Sequence, residues 1–321
     1  MNRREFLGGG FGALALATAS RASAATETEG FERPTVEVKG DFGGAKMYCF
    51  GTRCDAIGLS TVFVSKTGHV AVVDGGRDWG GKDGAFLYGK LMELGGRVDR
   101  WFVTHPHDDH YGALRTIMAR PDFRKLKIDQ LVFSFPKTEW ILGCEKNNDV
   151  REFLADVKKY CGHIKVRRYV TGEVWKPDSS LAMETLNEPF LEDHLINGNS
   201  ICQTVTMGEH RILVTGDMTK VQGHWLMKLL GPERIRHDIC FLSHHGQNGG
   251  DKEFYAAVAP ETVIWPTPAW LWDNIWPKSF GGNRPSGIGT GPWNANYTKC
   301  WLQELKIMKQ HLLCRNDVIF G

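Results

Sequence analysis

His105-Pro106-His107-Asp108-Asp109-His110 stands between the apolar run Trp101-Phe102-Val103-Thr104 and the stretch Tyr111-Gly112-Ala113-Leu114. The run before it predicts a strand and the stretch after it the start of a helix. A strand end that turns through a tight loop into a helix can aim several ligands at one point. Imidazole and carboxylate together suit zinc, and also iron or manganese. The i, i+2 spacing of His105 and His107 lets both rings point to one side of an extended segment. A lone histidine would read as a core or surface residue, but four ligand side chains within six residues at such a junction read as a metal site.

Three more apolar runs end in chemistry-bearing residues: Val70-Ala71-Val72-Val73 before Asp74-Gly75-Gly76, Ile212-Leu213-Val214 before Thr215-Gly216-Asp217, and Ile239-Cys240-Phe241-Leu242 before Ser243-His244-His245-Gly246. With His-x-His-x-Asp-His, these elements in this order resemble the metallo-β-lactamase superfamily over about Val36 to Trp265. Gly51-Thr52-Arg53-Cys54-Asp55-Ala56-Ile57 and Asn197-Gly198-Asn199-Ser200 are similar to elements in the hydrolase domain of ComEC-type DNA-uptake proteins.

The resemblance implies an α/β fold, an αββα sandwich of two packed β-sheets with helices outside. It also implies two metal positions, with Zn2+ in both and Mn2+ or Fe2+ as alternatives. His105 and His107 would hold one metal and Asp109 and His110 the other. Asp217 would bridge them, and His244 would complete the second position. His245 is the alternative ligand there, and the histidine not used would line the cleft or donate a proton. Where many superfamily members carry a third histidine, this branch has the Asn/Ser element, so the His105/His107 metal is expected to be short of one ligand. His194 is near enough in sequence to substitute, though it also reads as an exposed loop residue. Asp74 is expected to fix the ligand loop through hydrogen bonds, and Asp108 to be a supporting or surface residue. Two close cations bring a bridging water toward a pKa of roughly 7, giving hydroxide at neutral pH. Asp109, Asp217 and His245 are thus the expected catalytic groups. Asn199, Ser200, Gln247 and Asn248 are expected to face substrate, with Trp79 and Tyr111 at the mouth.

The chain has 321 residues and is 42% hydrophobic, enough for one large α/β domain or two small ones. Asn2-Arg3-Arg4-Glu5-Phe6-Leu7, the apolar segment Phe11–Ala17 and Ala22-Ser23-Ala24 resemble a twin-arginine export signal with its cleavage site. This gives a signal peptide over 1–24, a linker over 25–35 and a periplasmic or extracellular protein that meets the Tat translocon during export. The apolar segment is too short for a permanent membrane anchor. Residues 1–24 carry Arg3, Arg4, Arg21 and Glu5, and without them basic and acidic residues balance. A protein gripping a nucleic-acid backbone shows a basic excess, so the expected partner is a small-molecule or polymer substrate without a strong nucleic-acid signature. Eight cysteines form no dense framework; Cys202 and Cys240 read as buried thiols, while Cys49 with Cys54, or Cys300 with Cys314, have spacings that permit pairing.

The expected hydrolase domain spans 36–265. Within it, strands are predicted at Lys46–Phe50, Ser60–Ser65 and His69–Asp74, and helices at Gly84–Leu94, Tyr111–Ala119, Asp149–Tyr160 and Lys220–Leu230. Beyond it, 266–321 is expected to be a tryptophan-rich cap on the sandwich edge, or a lid over the cleft, followed by a helix over Tyr297–His311. Metal-dependent hydrolysis, most directly of a phosphodiester, is the function that the resemblance to the superfamily and its ComEC-type branch implies. The alternatives are hydrolysis of an ester, thioester, amide or lactone at the same site, and a non-catalytic binding protein that keeps the fold. Redox chemistry at iron, as some superfamily members perform, is a further alternative; those relatives usually need a flavin partner or a sulfur-transfer role, and no fused flavin-type domain is read in these residues.

Overall fold

Val70-Ala71-Val72-Val73 shows how the layers arise. Successive strand residues point to opposite faces, and all four are buried. Val70 and Val72 pack with helices on one side, and Ala71 and Val73 against a second sheet on the other. A strand apolar on both faces belongs in the middle of a sandwich. The structure, a computed structural model, describes residues 33–54, 56–247, 249–273 and 294–321. The expected signal peptide, most of the linker, Asp55, Asn248, Trp276 and Trp293 lie outside the described residues.

Along the chain, β1 (Thr35–Val38), β2 (Lys46–Phe50), β3 (Ser60–Val64) and β4 (Val70–Val73) precede α1 (Lys82–Glu93). Then come β5 (Arg97–Phe102), α2 (Asp108–Met118), β6 (Lys127–Val132), α3 (Thr138–Cys144), α4 (Val150–Tyr160) and β7 (Lys165–Arg167). The second half holds β8 (Val174–Trp175), β9 (Leu181–Thr185), β10 (Gln203–Met207), β11 (His210–Val214), α5 (Lys220–Arg234), β12 (Ile239–Phe241), α6 (Lys252–Val258) and β13 (Thr262–Trp265). The chain closes with α7 (Ala269–Trp272), α8 (Asn296–Glu304), β14 (Lys309–Leu312) and β15 (Asp317–Phe320). One sheet runs β1-β15-β2-β3-β4-β5-β6-β7 and the other β14-β13-β12-β11-β10-β9-β8. This is the expected αββα sandwich.

Met47, Phe63, Val73 and Phe102 of the first sheet meet Met183, Val205, Ile212, Phe241 and Ile264 of the second. Leu91, Leu114, Ile117 and Phe153 seal α1, α2 and α4 onto the first sheet. Leu226, Phe254 and Leu302 do the same for α5, α6 and α8 on the second. Each such side chain contributes about 1.5–3 kcal/mol on full burial, so the strand ends that carry the site are held by packing on both faces.

The C-terminal part departs from its sequence pattern. The expected helix over Tyr297–His311 stops at Glu304, because Lys306 turns left-handed (φ 58°) and the Ile307 N–H closes onto the Leu302 carbonyl at 2.9 Å. The next residues form β14, parallel to β13. β15 then joins the other sheet between β1 and β2, so residues beyond Trp265 supply a strand to each sheet. The eight cysteines are free thiols; Cys49, Cys202 and Cys240 are buried, and the Cys54 thiol donates to Asp83 at 2.8 Å. Among the described residues no helix is long and apolar enough to cross a membrane.

Candidate metal centre

β4 and β5 run parallel in one sheet, and β11 and β12 run parallel in the other. The residues just past their carboxyl ends, Asp74, the 105–110 loop, Asp217 and His244-His245, converge at one edge of the sandwich. Asp74 is buried and left-handed (φ 59°), a conformation Asp tolerates better than most residues. Its carboxylate accepts from the Thr104 N–H at 2.8 Å, the Thr104 hydroxyl at 3.0 Å and His110 Nδ1 at 2.8 Å. Asp74 therefore fixes the ligand loop, as its place in the sequence predicts. His107 is extended (φ −115°, ψ 146°) and starts α2, which puts Asp109 and His110 in the first helical turn.

Asp217 follows Gly216, which is left-handed (φ 54°); a Cβ at that glycine would lie 3.0 Å from both Ser200 Oγ and Thr104 Oγ1. The Ser200 hydroxyl accepts the Asp217 N–H at 2.9 Å. His244 (φ 51°), His245 (φ 55°) and Gly246 (φ 77°) form three left-handed residues in succession. Such backbone costs on the order of 1–3 kcal/mol per non-glycine residue and persists only when its surroundings impose it. Here Gly216 O accepts the His244 N–H at 3.2 Å, Thr267 Oγ1 donates to His245 O at 2.6 Å, and Ser243 Oγ donates to Met218 O at 2.6 Å. A Cβ at Gly246 would meet the Trp265 ring at 2.4 Å. Gly246→Ala is therefore expected to push His245 out of line and cost the protein one equivalent of bound metal. Elemental analysis of the folded variant checks this, and wild-type metal content would refute it.

The donor atoms form two groups, each with all members within 4.8 Å of one another: His105, His107 and Asp217, and Asp109, His110, Asp217 and His245. In the first, His105 Nε2 lies 3.0 Å from His107 Nδ1 and 3.9 Å from Asp217 Oδ2. In the second, His110 Nε2 is 3.1 Å from Asp217 Oδ1, and His245 Nε2 is 3.0 Å from Asp109 Oδ2 and 3.2 Å from Asp217 Oδ2. Asp217 belongs to both groups.

The donor set fits metal ions. Each imidazole has its outer nitrogen occupied: His105 Nδ1 by Thr104 Oγ1 at 3.2 Å, His107 Nε2 by Glu145 at 3.0 Å, His110 Nδ1 by Asp74, and His245 Nδ1 by the Pro266 carbonyl at 3.0 Å. A nitrogen that donates outward leaves the other with a lone pair facing in, the tautomer a ligand needs. Among the described residues His110 Nε2 is buried without a hydrogen bond although Asp217 is beside it. That geometry suits donors around a cation better than donors paired with each other.

The chain's own charges are strongly perturbed. Burial alone would raise the Asp109 and Asp217 carboxyls, but His110 and His245 outweigh it and hold both below the ordinary carboxylate range. Burial opposes the charged form of His245, yet Asp217 and Asp109 push it up to about 9; His110 is raised by Asp217, Asp74 and Asp109 against the same burial. Burial, then His110, lowers His105. The signs fix a pH dependence for metal-free protein. The depressed carboxylates stabilise it above their unfolded pKa near 4, and this is lost as pH falls. The raised histidines stabilise it fully below about 6.5, and this is lost as pH climbs toward 9. Metal binding needs those histidines neutral, so it strengthens over the same rise. Melting curves with and without zinc from pH 6 to 9 should therefore diverge, the metal-free curve falling and the separation widening. Parallel curves would contradict it.

The sequence profile described as Metallo-beta-lactamase superfamily matches residues 56–251, more than half of the chain. The chain belongs to the metallo-β-lactamase superfamily. A search of curated proteins finds no match. Among solved structures, the fold is similar to CmlA, a diiron β-hydroxylase from Streptomyces venezuelae (14% identity, TM-score 0.52, 85% of this chain and 53% of that one). It is also similar to the metallo-β-lactamase fold protein YhfI from Bacillus subtilis (12% identity, TM-score 0.50, 86% of this chain and 98% of that one). The chain thus spans about half the length of CmlA, and identities this low speak to the fold alone.

Within this superfamily site, several residues stand elsewhere than the sequence suggests. His245, expected as the alternative ligand or a proton donor, sits in the Asp109 group. His244, expected as the ligand, lies outside both groups, with Nε2 3.9 Å from Asp217 Oδ2 and 3.1 Å from Asn197 Nδ2. Asn199 and Ser200, expected to face substrate, are buried. Asn199 Nδ2 donates to the Leu195 and Ile196 carbonyls, and Ser200 supports Asp217. Gln247 is also buried, its side-chain amide making no hydrogen bond among the described residues. Tyr111, expected at the mouth, is fully buried, stacks on Phe153 and hydrogen-bonds Asp149. Trp79 is exposed, 5.3 Å from the Arg77 guanidinium, which pairs with Asp108. His194, by contrast, is on an exposed turn, in keeping with its reading as a loop residue, and belongs to neither donor group. Glu145 and Thr104 have site roles that no sequence signal marks.

Proposed function

We propose that this chain is an exported, two-metal hydrolase whose substrate is a phosphodiester. The observation that carries it is the shared carboxylate: Asp217 stands in both donor groups, which is how two adjacent metals are held on one hydrolytic centre. His105 and His107 would hold one ion, and Asp109, His110 and His245 the other. When bound, the pair supplies Lewis acidity and acidifies water at neutral pH. The chain's own residues do the rest. Asp74, Thr104, Glu145 and the Pro266 carbonyl orient the four ligand rings, and Ser200 orients Asp217. His244, its Nε2 accepting from Asn197 Nδ2 at 3.1 Å, borders the centre outside both donor groups and is left free of a metal role.

The ComEC-type elements at 51–57 and 197–200 support the choice of a phosphodiester over an acyl substrate. The balanced charge favours a small or uncharged-framework ester over a long nucleic acid. The Arg3-Arg4 leader supports export through the Tat translocon to the periplasm or beyond. Zinc is the proposed metal, with manganese or iron as alternatives in the same donor set.

Chromogenic phosphodiesters and carboxyl esters, each with zinc, manganese or ferrous iron, test the reading. Turnover of the phosphodiester, abolished by chelation and by His107→Ala, is the expected result. Turnover of esters, thioesters or lactones alone would move the reaction to acyl transfer. Full metal uptake with no turnover of either class would favour a binding protein.

A further inference from the structure

The four ligand histidines are not oriented alike. His105, His110 and His245 are fully buried, and their outer nitrogens are held by Thr104, Asp74 and the Pro266 carbonyl, all parts of the core. The His107 side chain is 21% exposed, and its outer nitrogen is held by Glu145, whose side chain is 52% exposed. Glu145 comes from neither sheet. It caps the C-terminus of α3, its N–H bonded to the Ile141 carbonyl at 2.9 Å. Three residues on, Asn148 Nδ2 donates to the Pro106 carbonyl at 2.8 Å. The loop between α3 and α4 therefore grips His105-Pro106-His107 at two points, the backbone between the histidines and the ring of the second.

A carboxylate can only accept, so the bond to Glu145 puts the proton on His107 Nε2 and the lone pair on Nδ1, the nitrogen that faces His105 at 3.0 Å. An acceptor of this kind both fixes the ring and makes the ligand nitrogen more basic. It matters most where ligands are fewest. The Asp109 group offers four donors, whereas the His105/His107 group has two histidines and the shared carboxylate.

We propose that Glu145 is a positioning residue that sets the metal affinity of the His105/His107 position, making occupancy there depend on the α3–α4 loop. This rests on the two-metal reading above. The experiment is a stepwise titration of metal-free protein with cobalt(II), following visible absorption, on wild type, Glu145→Ala and Glu145→Gln. Wild type should take up two equivalents with distinguishable affinities. Glu145→Ala should weaken the looser one by about 10–100-fold and alter its spectrum, leaving the tighter one within about twofold. Glu145→Gln keeps an acceptor oxygen, so it should recover part of the loss. Two equivalents in wild type with an unchanged looser equivalent in Glu145→Ala, or an equal loss at both, would overturn the role of Glu145 alone. Fewer than two equivalents in wild type would overturn the two-metal reading and this inference with it.

Discussion

Asp217→Asn is expected to abolish binding at both metal positions and lower turnover by on the order of 10³-fold or more. Asp217 Oδ1 faces His110 Nε2 at 3.1 Å, and Oδ2 faces His245 at 3.2 Å and His105 at 3.9 Å. Among the described residues no other belongs to both donor groups. The amide keeps the shape but removes the negative charge two cations need between them, and it brings an N–H to a place where every neighbour must present a lone pair. The variant should still fold, since Asn can accept or donate beside neutral histidines. Far-UV circular dichroism checks the fold, and elemental analysis with kinetics checks the loss. Retention of one full equivalent of metal would show that Asp217 serves only one position.

The adjacent histidines give the second large effect. His245→Ala should cost one equivalent of metal and at least about 10²-fold in turnover, because His245 Nε2 stands 3.0 Å from Asp109 and 3.2 Å from Asp217. His244→Ala should keep both equivalents, because His244 lies outside either group. Its loss should fall on kcat with metal content unchanged. Metal content of the two variants, measured side by side, separates ligand from non-ligand. Equal losses would place both histidines on metal, and the reverse pattern would make His244 the ligand, the other of the two assignments the resemblance leaves open.

That exchange marks the boundary of what the chain's letters convey. The runs before Asp74, His105, Asp217 and His244 are legible because each is apolar, short and followed by polar ligand residues, and all four end at the same edge of the sandwich. Which of two adjacent histidines faces Asp109 depends on backbone angles. Three left-handed residues in a row turn the second ring inward, and nothing in Ser243-His244-His245-Gly246 announces that for a non-glycine pair. The Asn199-Ser200 element was legible as part of the site but not in direction, since both side chains serve the local turn and the backbone of Asp217. Glu145 lies in a run of polar surface residues, and only the fold brings it to His107.

The same contrast holds for the architecture. β4 is readable because its four residues are apolar on both faces. β14 and β15 were hidden for different reasons. Lys309–Leu312 continues a helix-like pattern that ends at a left-handed lysine, and Asp317–Phe320 pairs with strands more than 250 residues away in sequence. The Arg53–Asp317 ion pair ties that last strand to the loop after β2. A hydrogen bond from the Gly51 N–H to Asp317 at 3.1 Å adds to the tie. A buried pair of this kind is costly to break from one side only, by about 3–5 kcal/mol.

The most direct measurement is anomalous diffraction at the zinc edge from crystals of the zinc-loaded protein. Two peaks are expected, one among Asp109, His110 and His245 and one beside His105 and His107, with Asp217 touching both. A single peak, or peaks that leave Asp217 without a metal contact, would contradict the shared-carboxylate centre.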